Sequence, residues 1–284
     1  MLIPSAPLVN AAVANGYAVG SFNVASLEMI ESVILAAAQS NSPVIVSTSS
    51  AEARYLSPEV VQPIVKTLSD RHGVTCALHL DHGDSFELAM RCLRAGYTSL
   101  MFDGSHFALD ENIQLTKQVV EAAHAVGVSV EGEVGRLSGV EDDLVVSAEH
   151  AHLTDVGEAV HFVAETHVDM LAVAVGNAHG FYLEEPKLDF ERIEQIYSGT
   201  NVPIVLHGGT GIPVDDIRRA STLGIGKVNI ASRIRRKYMQ TVHQTLAPNP
   251  NTTEVRDIMT AAKAAIIAEI STCMNELQSA QQTA

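Results

Sequence analysis

The chain has 284 residues, enough for one large α/β unit or two small ones, and its hydrophobic fraction of 46% supplies an ordinary globular core. Eighteen basic against thirty-three acidic side chains leave a formal charge of −15, which repels a polyphosphate backbone and sets nucleic acid aside as a partner. No apolar run reaches the ~18 residues of a membrane span and Met1-Leu-Ile-Pro-Ser5 lacks a signal layout, so a cytoplasmic chain with no membrane partner is expected.

Eight strand-like apolar segments follow one another at 17–24, 43–49, 74–81, 98–103, 128–134, 168–176, 202–207 and 226–231, with helix-like segments between them. The helix signals are local. Ser57 stands as an N-cap before Pro58 at the first helical position, and Asp110 opens a run in which Ile113, Val120 and Ala123 share a face. Nothing breaks the rhythm, so residues 1–284 read as a single α/β domain, a (β/α)8 TIM barrel. Between the fifth and sixth strands, Gly135-Arg-Leu-Ser-Gly-Val-Glu-Asp-Asp143 and the residues to about 154 form a long polar insertion with the character of a lid. After the eighth strand, 232–247 and 254–278 read as two helices parted by Pro248-Asn-Pro-Asn-Thr252. They make a C-terminal helical extension placed to pack on a neighbouring subunit, and the polar tail from Gln278 to Ala284 is expected to fray. Cys76, Cys92 and Cys273 are odd in number and widely spaced, which fits buried thiols rather than disulfides or a metal site.

Three histidines sit just past apolar runs: Cys76-Ala-Leu-His-Leu-Asp-His82, Leu171-Ala-Val-Ala-Val-Gly-Asn-Ala-His179 and Ile204-Val-Leu-His207. Buried parallel strands read as such runs, and a parallel barrel gathers its C-terminal ends on one face, which brings His82, His179 and His207 together. Three neutral imidazoles with one position open are the ligand set of a catalytic zinc. The strand ends also supply Asn23, Ser47, Ser49, Asp81, Asp103, Glu133 and Asn229. Asp81, next to His82, is placed to move a proton to or from a hydroxyl while a Lewis-acid metal polarises a carbonyl and stabilises an enediolate. His72, His124, His161, His167 and His243 fall in predicted helices and read as surface or packing residues; His150-Ala-His152 lies in the insertion and is set aside.

Gly208-Gly-Thr-Gly211 and Asn229-Ile-Ala-Ser232 each lead from a strand into a helix. Either one alone reads as a tight turn. Together, after strands seven and eight, they implicate a phosphate held by backbone amides. There is no GxxxxGK[ST], so nucleoside triphosphate chemistry is not indicated. A metal beside a phosphate pocket points to a small phosphorylated substrate.

With these residues in place, the chain resembles the class II ketose-bisphosphate aldolases, and within them the tagatose-bisphosphate aldolase branch. The similarity runs through Phe22-Asn23, Leu78-His-Leu-Asp-His82, Phe102-Asp-Gly-Ser-His106, Glu131-Gly-Glu-Val-Gly135, Gly139-Val-Glu-Asp-Asp143, Val173-Ala-Val-Gly176, His179-Gly180, Leu206-His-Gly208 and Lys227-Val-Asn229. The resemblance implies an aldehyde-lyase that reversibly cleaves D-tagatose or D-fructose 1,6-bisphosphate to glycerone phosphate and D-glyceraldehyde 3-phosphate by zinc-stabilised enediolate chemistry, as a homodimer or homotetramer. It implies zinc on His82, His179 and His207, and Asp81 as acid/base on the C4 hydroxyl. Asp103 and Glu133 would line a second or alternative metal position, and Glu141 would shuttle the C3 proton of glycerone phosphate. Gly180, Gly208, Gly209 and Thr210, with Asn229, Ile230, Ala231 and Ser232, would bind its phosphate beside a monovalent cation, Na+ or K+. Asn23 would contact the sugar. Arg256 resembles the arginine that reaches the distal phosphate from a neighbouring subunit, with Ser49 or Ser50 as partners; Arg233, Arg235 and Arg236 are the other candidates.

Two departures bear on substrate. Ala231 stands where fructose enzymes commonly carry aspartate, whereas Gly208-Gly-Thr-Gly211 is nearer the fructose form; Ser232-Arg233 replaces the usual Thr-Glu. Two other readings compete: a metal-dependent phosphosugar epimerase or isomerase, and a non-catalytic companion subunit of an aldolase, against which the intact Asp81-His82 pair and the three histidines weigh.

Overall fold

The computed structural model describes residues 1–141, 144–146, 152–180, 182 and 185–282. Its strands are, in chain order, β1 (Val19–Asn23), β2 (Val44–Ser49), β3 (Cys76–Gly83), β4 (Ser99–Phe102), β5 (Ser129–Val134), β6 (Ser138–Glu141), β7 (Leu144–Val146), β8 (Met170–Val173), β9 (Ala178–His179), β10 (Ile204–Leu206) and β11 (Ile225–Ile230). A closed parallel barrel runs in the order β1-β11-β10-β8-β5-β4-β3-β2, and helices alternate with its strands. Every strand expected from the sequence is a barrel strand. Their continuous apolar character follows from burial on both faces, since the outer face packs on helices and the inner face fills the barrel.

The period of two along each strand sorts the barrel interior into layers. Among the inward residues Val19, Ile45, Ala77, Met101, Met170, Ala172 and Val205 form one apolar cluster with Leu8, Val9 and Ala12 of a helix, Ser5–Asn15, that closes the N-terminal end. Sequence reading gave no sign of this helix. It is a plug, apolar nearly all round, and it follows Pro4 without a side-chain cap, so neither amphipathic spacing nor a capping residue marks it. The same inward phase carries Ser21, Ser47, His79, Ser99, Glu131 and Lys227, all fully buried. The barrel core is therefore partly polar. The top layer is the strand ends.

The insertion after β5 is more ordered than a loop: β6 pairs antiparallel with β7 and parallel with β9, forming a small sheet over the C-terminal face. His179 belongs to that sheet rather than to the end of β8. Asp142, Asp143 and His150 lie outside the described residues. The extension forms helices Ser232–Leu246 and Val255–Glu276, which pack together, the second also against Leu27–Ser40. The expected fraying of the tail is corrected at its start. Ser279 is fully buried with its hydroxyl donor partner Ser42 at 2.9 Å, and the Gln281 amide bonds Ser40 O at 2.9 Å, so the chain is tied down until the polar groups find partners in the helix Leu27–Ser40 and its end. Among the described residues no helix is long and apolar enough to cross a membrane.

Candidate active site

The inward phase of each strand delivers its last polar residue to one place: Asn23 from β1, Ser49 from β2, Asp81 from β3, Glu133 from β5 and Asn229 from β11, with Asp103 and His207 just past β4 and β10. His82 is out of phase with Asp81 and joins them through its backbone, which takes a left-handed φ of 46°. That conformation is costly for a non-glycine residue and needs support. Ser50 supplies it, donating its hydroxyl to His82 O at 2.6 Å and accepting the Asp84 amide at 3.2 Å. Ser49 caps the following helix, Ser50–Leu56, in a reciprocal box with Glu52. The two serines expected at a distal phosphate thus also hold the local backbone.

Asp81 is fully buried, and both of its oxygens accept a side-chain amide: Oδ2 from Asn23 at 2.9 Å and Oδ1 from Asn229 at 2.9 Å. His82 and His207 are set by carboxylates. His82 Nδ1 meets Asp103 Oδ2 at 2.8 Å, and His207 Nε2 meets Glu131 Oε1 at 2.8 Å. Burial opposes ionisation of Glu131, but the ammonium of Lys227, 2.6 Å from Oε2, and the His207 hydrogen bond outweigh it and hold the carboxyl well below its usual range. Burial likewise opposes ionisation of Asp103, and bonds from His82 and Ser105 overcome it. Glu133 has no such donors, so burial and then the charge of Asp103 push it well above the usual range. Burial lowers His207, which stays neutral, and burial followed by Lys227 lowers His79 to about 3. Below the site, His79 bonds Ser99 at 2.7 Å and Ser99 bonds Ser5 at 2.7 Å, completing a polar chain from the plug helix to His207.

Whether these residues fit a metal follows from proton counting. His82 and His207 each give their one N–H to an ionised carboxylate, so the nitrogens that face each other across 2.9 Å, His82 Nε2 and His207 Nδ1, are both left as acceptors. Two lone pairs at that separation repel unless a proton or a cation lies between them. Ligand atoms of His82, His179 and His207 all lie within 4.8 Å of one another, and so do those of His82, Asp103 and Glu133. Three further buried oxygens, Asn23 Oδ1, Asn229 Oδ1 and Glu133 Oε2, accept no hydrogen bond among the described residues. Each such group costs about 1–3 kcal/mol when left unsatisfied, and their convergence on one spot marks a site shaped for polar ligands. The residues present fit a divalent cation and a hydroxylated substrate. A cavity of about 270 Å³ opens beside them, lined by His82, Asp103, Glu133, Arg136, Gly139 and His179.

The glycine-rich loop lies alongside. Gly208 has φ 63°, and a Cβ there would stand 1.9 Å from Ala178 O; Gly139 has φ 115°, and its Cβ would stand 2.3 Å from His179 O. Both glycines let backbone touch backbone on either side of β9. Gly180 follows His179 with φ 86°. The Gly209 amide is already given to Asn229 O at 2.9 Å, and Thr210 Oγ1 accepts the Arg233 amide at 3.3 Å, which ties this loop to the Asn229–Ser232 turn. Ile230 and Ala231 are buried there and Ser232 opens the next helix.

The basic candidates separate. Arg233 is clamped by Glu269 and Glu276, and Arg235 by Glu52 at 2.6 Å. Arg256 stands at the exposed start of the last helix, 86% accessible, with Asp257 at 3.6 Å. Glu141 closes β6 two residues beyond Gly139, the residue in register with His179. Sequence reading missed Glu131, His79 and Lys227. The signal was available, because Lys227 shares the inward phase of Asn229, Glu131 that of Glu133 and His79 that of Asp81.

Comparison with known proteins agrees with this geometry. A family model described as class-II fructose-bisphosphate aldolase matches residues 4–282. A fructose-bisphosphate aldolase of Geobacillus stearothermophilus is 41% identical over 286 aligned residues, covering 100% of this chain and 99% of that one. A probable fructose-bisphosphate aldolase of Bacillus subtilis (strain 168) is 40% identical over 284, covering 99% of each. The crystal structure of the YdjI aldolase from Escherichia coli K12 superposes with a TM-score of 0.88 at 32% identity, covering 100% of both chains. A barrel whose strand ends gather three histidines and an amide-held aspartate, matched end to end by these relatives, belongs to the class-II fructose-bisphosphate aldolase family.

Proposed function

We propose that this aldolase reversibly cleaves a ketose 1,6-bisphosphate, D-tagatose or D-fructose, to glycerone phosphate and D-glyceraldehyde 3-phosphate, with one zinc held by His82, His179 and His207. The observation that carries the reading is the pair of imidazole nitrogens facing each other at 2.9 Å beside the buried Asp81. When bound, zinc supplies Lewis-acid polarisation of the ketone and offsets the charge that develops on its oxygen. Asp81 takes the proton from the C4 hydroxyl as the C3–C4 bond breaks, and returns it in the condensation direction. Asn23 and Asn229 hold that carboxylate through their amide nitrogens, and their Oδ1 atoms accept sugar hydroxyls. Glu141 serves C3 of glycerone phosphate, giving or removing its proton. Asp103 and Glu133 offer a second position for the cation with His82.

The turns Gly208–Thr210 and Asn229–Ser232, with Gly180, take the phosphate of glycerone phosphate, with Na+ or K+ beside it. Because the Gly209 amide is engaged within the chain, the binding falls to its neighbours and the opening of the helix at Ser232. Arg256 serves the distal phosphate of an adjacent subunit in a homodimer or homotetramer, where Ser49 and Ser50 lie at the end of β2. Arg256→Ala is then expected to raise KM and to lower kcat/KM for the bisphosphate about tenfold or more, in keeping with loss of a charged hydrogen bond, while exchange of the C3 hydrogen of glycerone phosphate stays nearly unchanged. Equal loss in both assays would assign Arg256 to the fold or the subunit contact.

With Asp81 and all three histidines present, the pure chain is expected to act without a companion subunit. Ala231 favours tagatose and Gly208-Gly-Thr-Gly211 favours fructose, so the test presents both 1,6-bisphosphates to the zinc-loaded protein. Release of glycerone phosphate is the expected result. Interconversion of the two sugars with no glycerone phosphate would instead support a phosphosugar epimerase.

A further inference from the structure

Of the three histidines, His179 has the least scaffold. His82 lies within the eight-residue β3 and His207 directly follows β10, whereas His179 ends β9, a strand of two residues outside the barrel. So short an element cannot fix an imbibed imidazole by its own ladder, since a single hydrogen-bonded step leaves the backbone free to pivot. We propose that Tyr182 and Asn177 are positioning residues that lock the backbone of His179 onto that of His207, a proposal that rests on the metal reading above.

Two side chains bridge the segments. Asn177 is buried; its Oδ1 accepts the Val175 amide at 2.8 Å and its Nδ2 donates to His207 O at 3.0 Å. The Tyr182 hydroxyl accepts the Ala178 amide at 2.9 Å and donates to Gly208 O at 2.9 Å. The two bridges therefore grip the residues just before His179 and land on the two consecutive carbonyls of His207 and Gly208. The missing Cβ of Gly208 closes the same gap, since a side chain there would meet Ala178 O. A phenol has one proton to give, and here it goes to Gly208 O. Burial pushes the Tyr182 hydroxyl up to about 12, so it stays a donor throughout the neutral range. Neither residue needs to touch the cation; each sets where one imidazole stands relative to another, the way outer partners of ligating residues govern metal affinity.

Tyr182→Phe keeps the ring and removes the hydroxyl, leaving Ala178 N–H and Gly208 C=O without their bridge. Asn177→Ala removes the second bridge from a different residue, so the proposal stays testable if one variant fails to fold. The measurements are the Zn2+ dissociation constant, by competition with a chromophoric chelator, and the melting temperature of the metal-free protein. Each variant is expected to weaken Zn2+ binding about 10-fold to 100-fold, the usual cost of losing an outer partner. The metal-free melting temperature is expected to fall as well, because each variant leaves two backbone groups unpaired, so the Zn2+ affinity is the deciding readout. Zn2+ affinity equal to the parent's in both variants, or a lowered metal-free melting temperature with affinity unchanged, would overturn the proposal. Failure of the parent protein itself to bind Zn2+ would defeat the metal reading, a separate outcome seen in the first titration.

Discussion

His207→Ala is expected to lose bound metal and cleavage activity together. His207 is fully buried, carries the Glu131 hydrogen bond on Nε2, and turns Nδ1 to His82. Alanine removes a ligand and also strands Glu131, whose Oε1 then faces the hole while Oε2 remains on Lys227. Lewis-acid stabilisation is worth several kcal/mol of transition-state energy, so kcat/KM should fall by roughly 10³-fold or more. Metal analysis and kinetics on the same preparation check the coupling. His82→Ala and His179→Ala should behave alike. A variant that keeps its metal content yet loses activity would assign His207 some other role.

Asp81→Ala is expected to separate two proton transfers that the parent enzyme performs in sequence. In the proposed mechanism Asp81 acts on the C4 hydroxyl, so its loss should depress cleavage of the bisphosphate by about 10²–10⁴-fold, the range of a general acid/base. Exchange of the C3 hydrogen of glycerone phosphate with deuterated water should survive, since the proposed mechanism gives that proton to Glu141. Glu141→Ala should do the reverse and lose much of the exchange. Proton NMR of glycerone phosphate in deuterated water, run beside a coupled cleavage assay, distinguishes them; identical exchange rates in the two variants would contradict this division.

The parts of the site that were legible from sequence obey strand periodicity. Asn23, Asp81, Asp103, Glu133 and Asn229 sit at the ends of apolar runs because buried parallel strands put every second residue inward, and the same rule that fills the barrel aims its last polar residue at the mouth. His82 was found by its place after an apolar run rather than by phase, for nothing in a linear pattern announces a histidine with φ 46° held by Ser50 of the helix Ser50–Leu56. His179 was placed on the right face but on the wrong element. Its support is a strand of two residues paired to the insertion, and so short a strand carries no alternation to read. The buried Lys227, Glu131 and His79 escaped because charged residues inside apolar runs are ordinarily assigned to strand ends, although each shares the inward phase of a residue at the mouth. The plug helix Ser5–Asn15 escaped for another reason: its outward side carries Pro7 and Ala14 beside Asn10 and Asn15, so it lacks the charged face by which helices are recognised.

The most direct test of a metal held by three histidines is removal and return. Exhaustive chelation, with residual metal verified by mass spectrometry, is expected to abolish release of glycerone phosphate from the bisphosphate. Stepwise Zn2+ should restore it in proportion, saturating at about one equivalent per chain, the stoichiometry of a single catalytic site. Full cleavage by the metal-free protein would contradict the assignment of His82, His179 and His207.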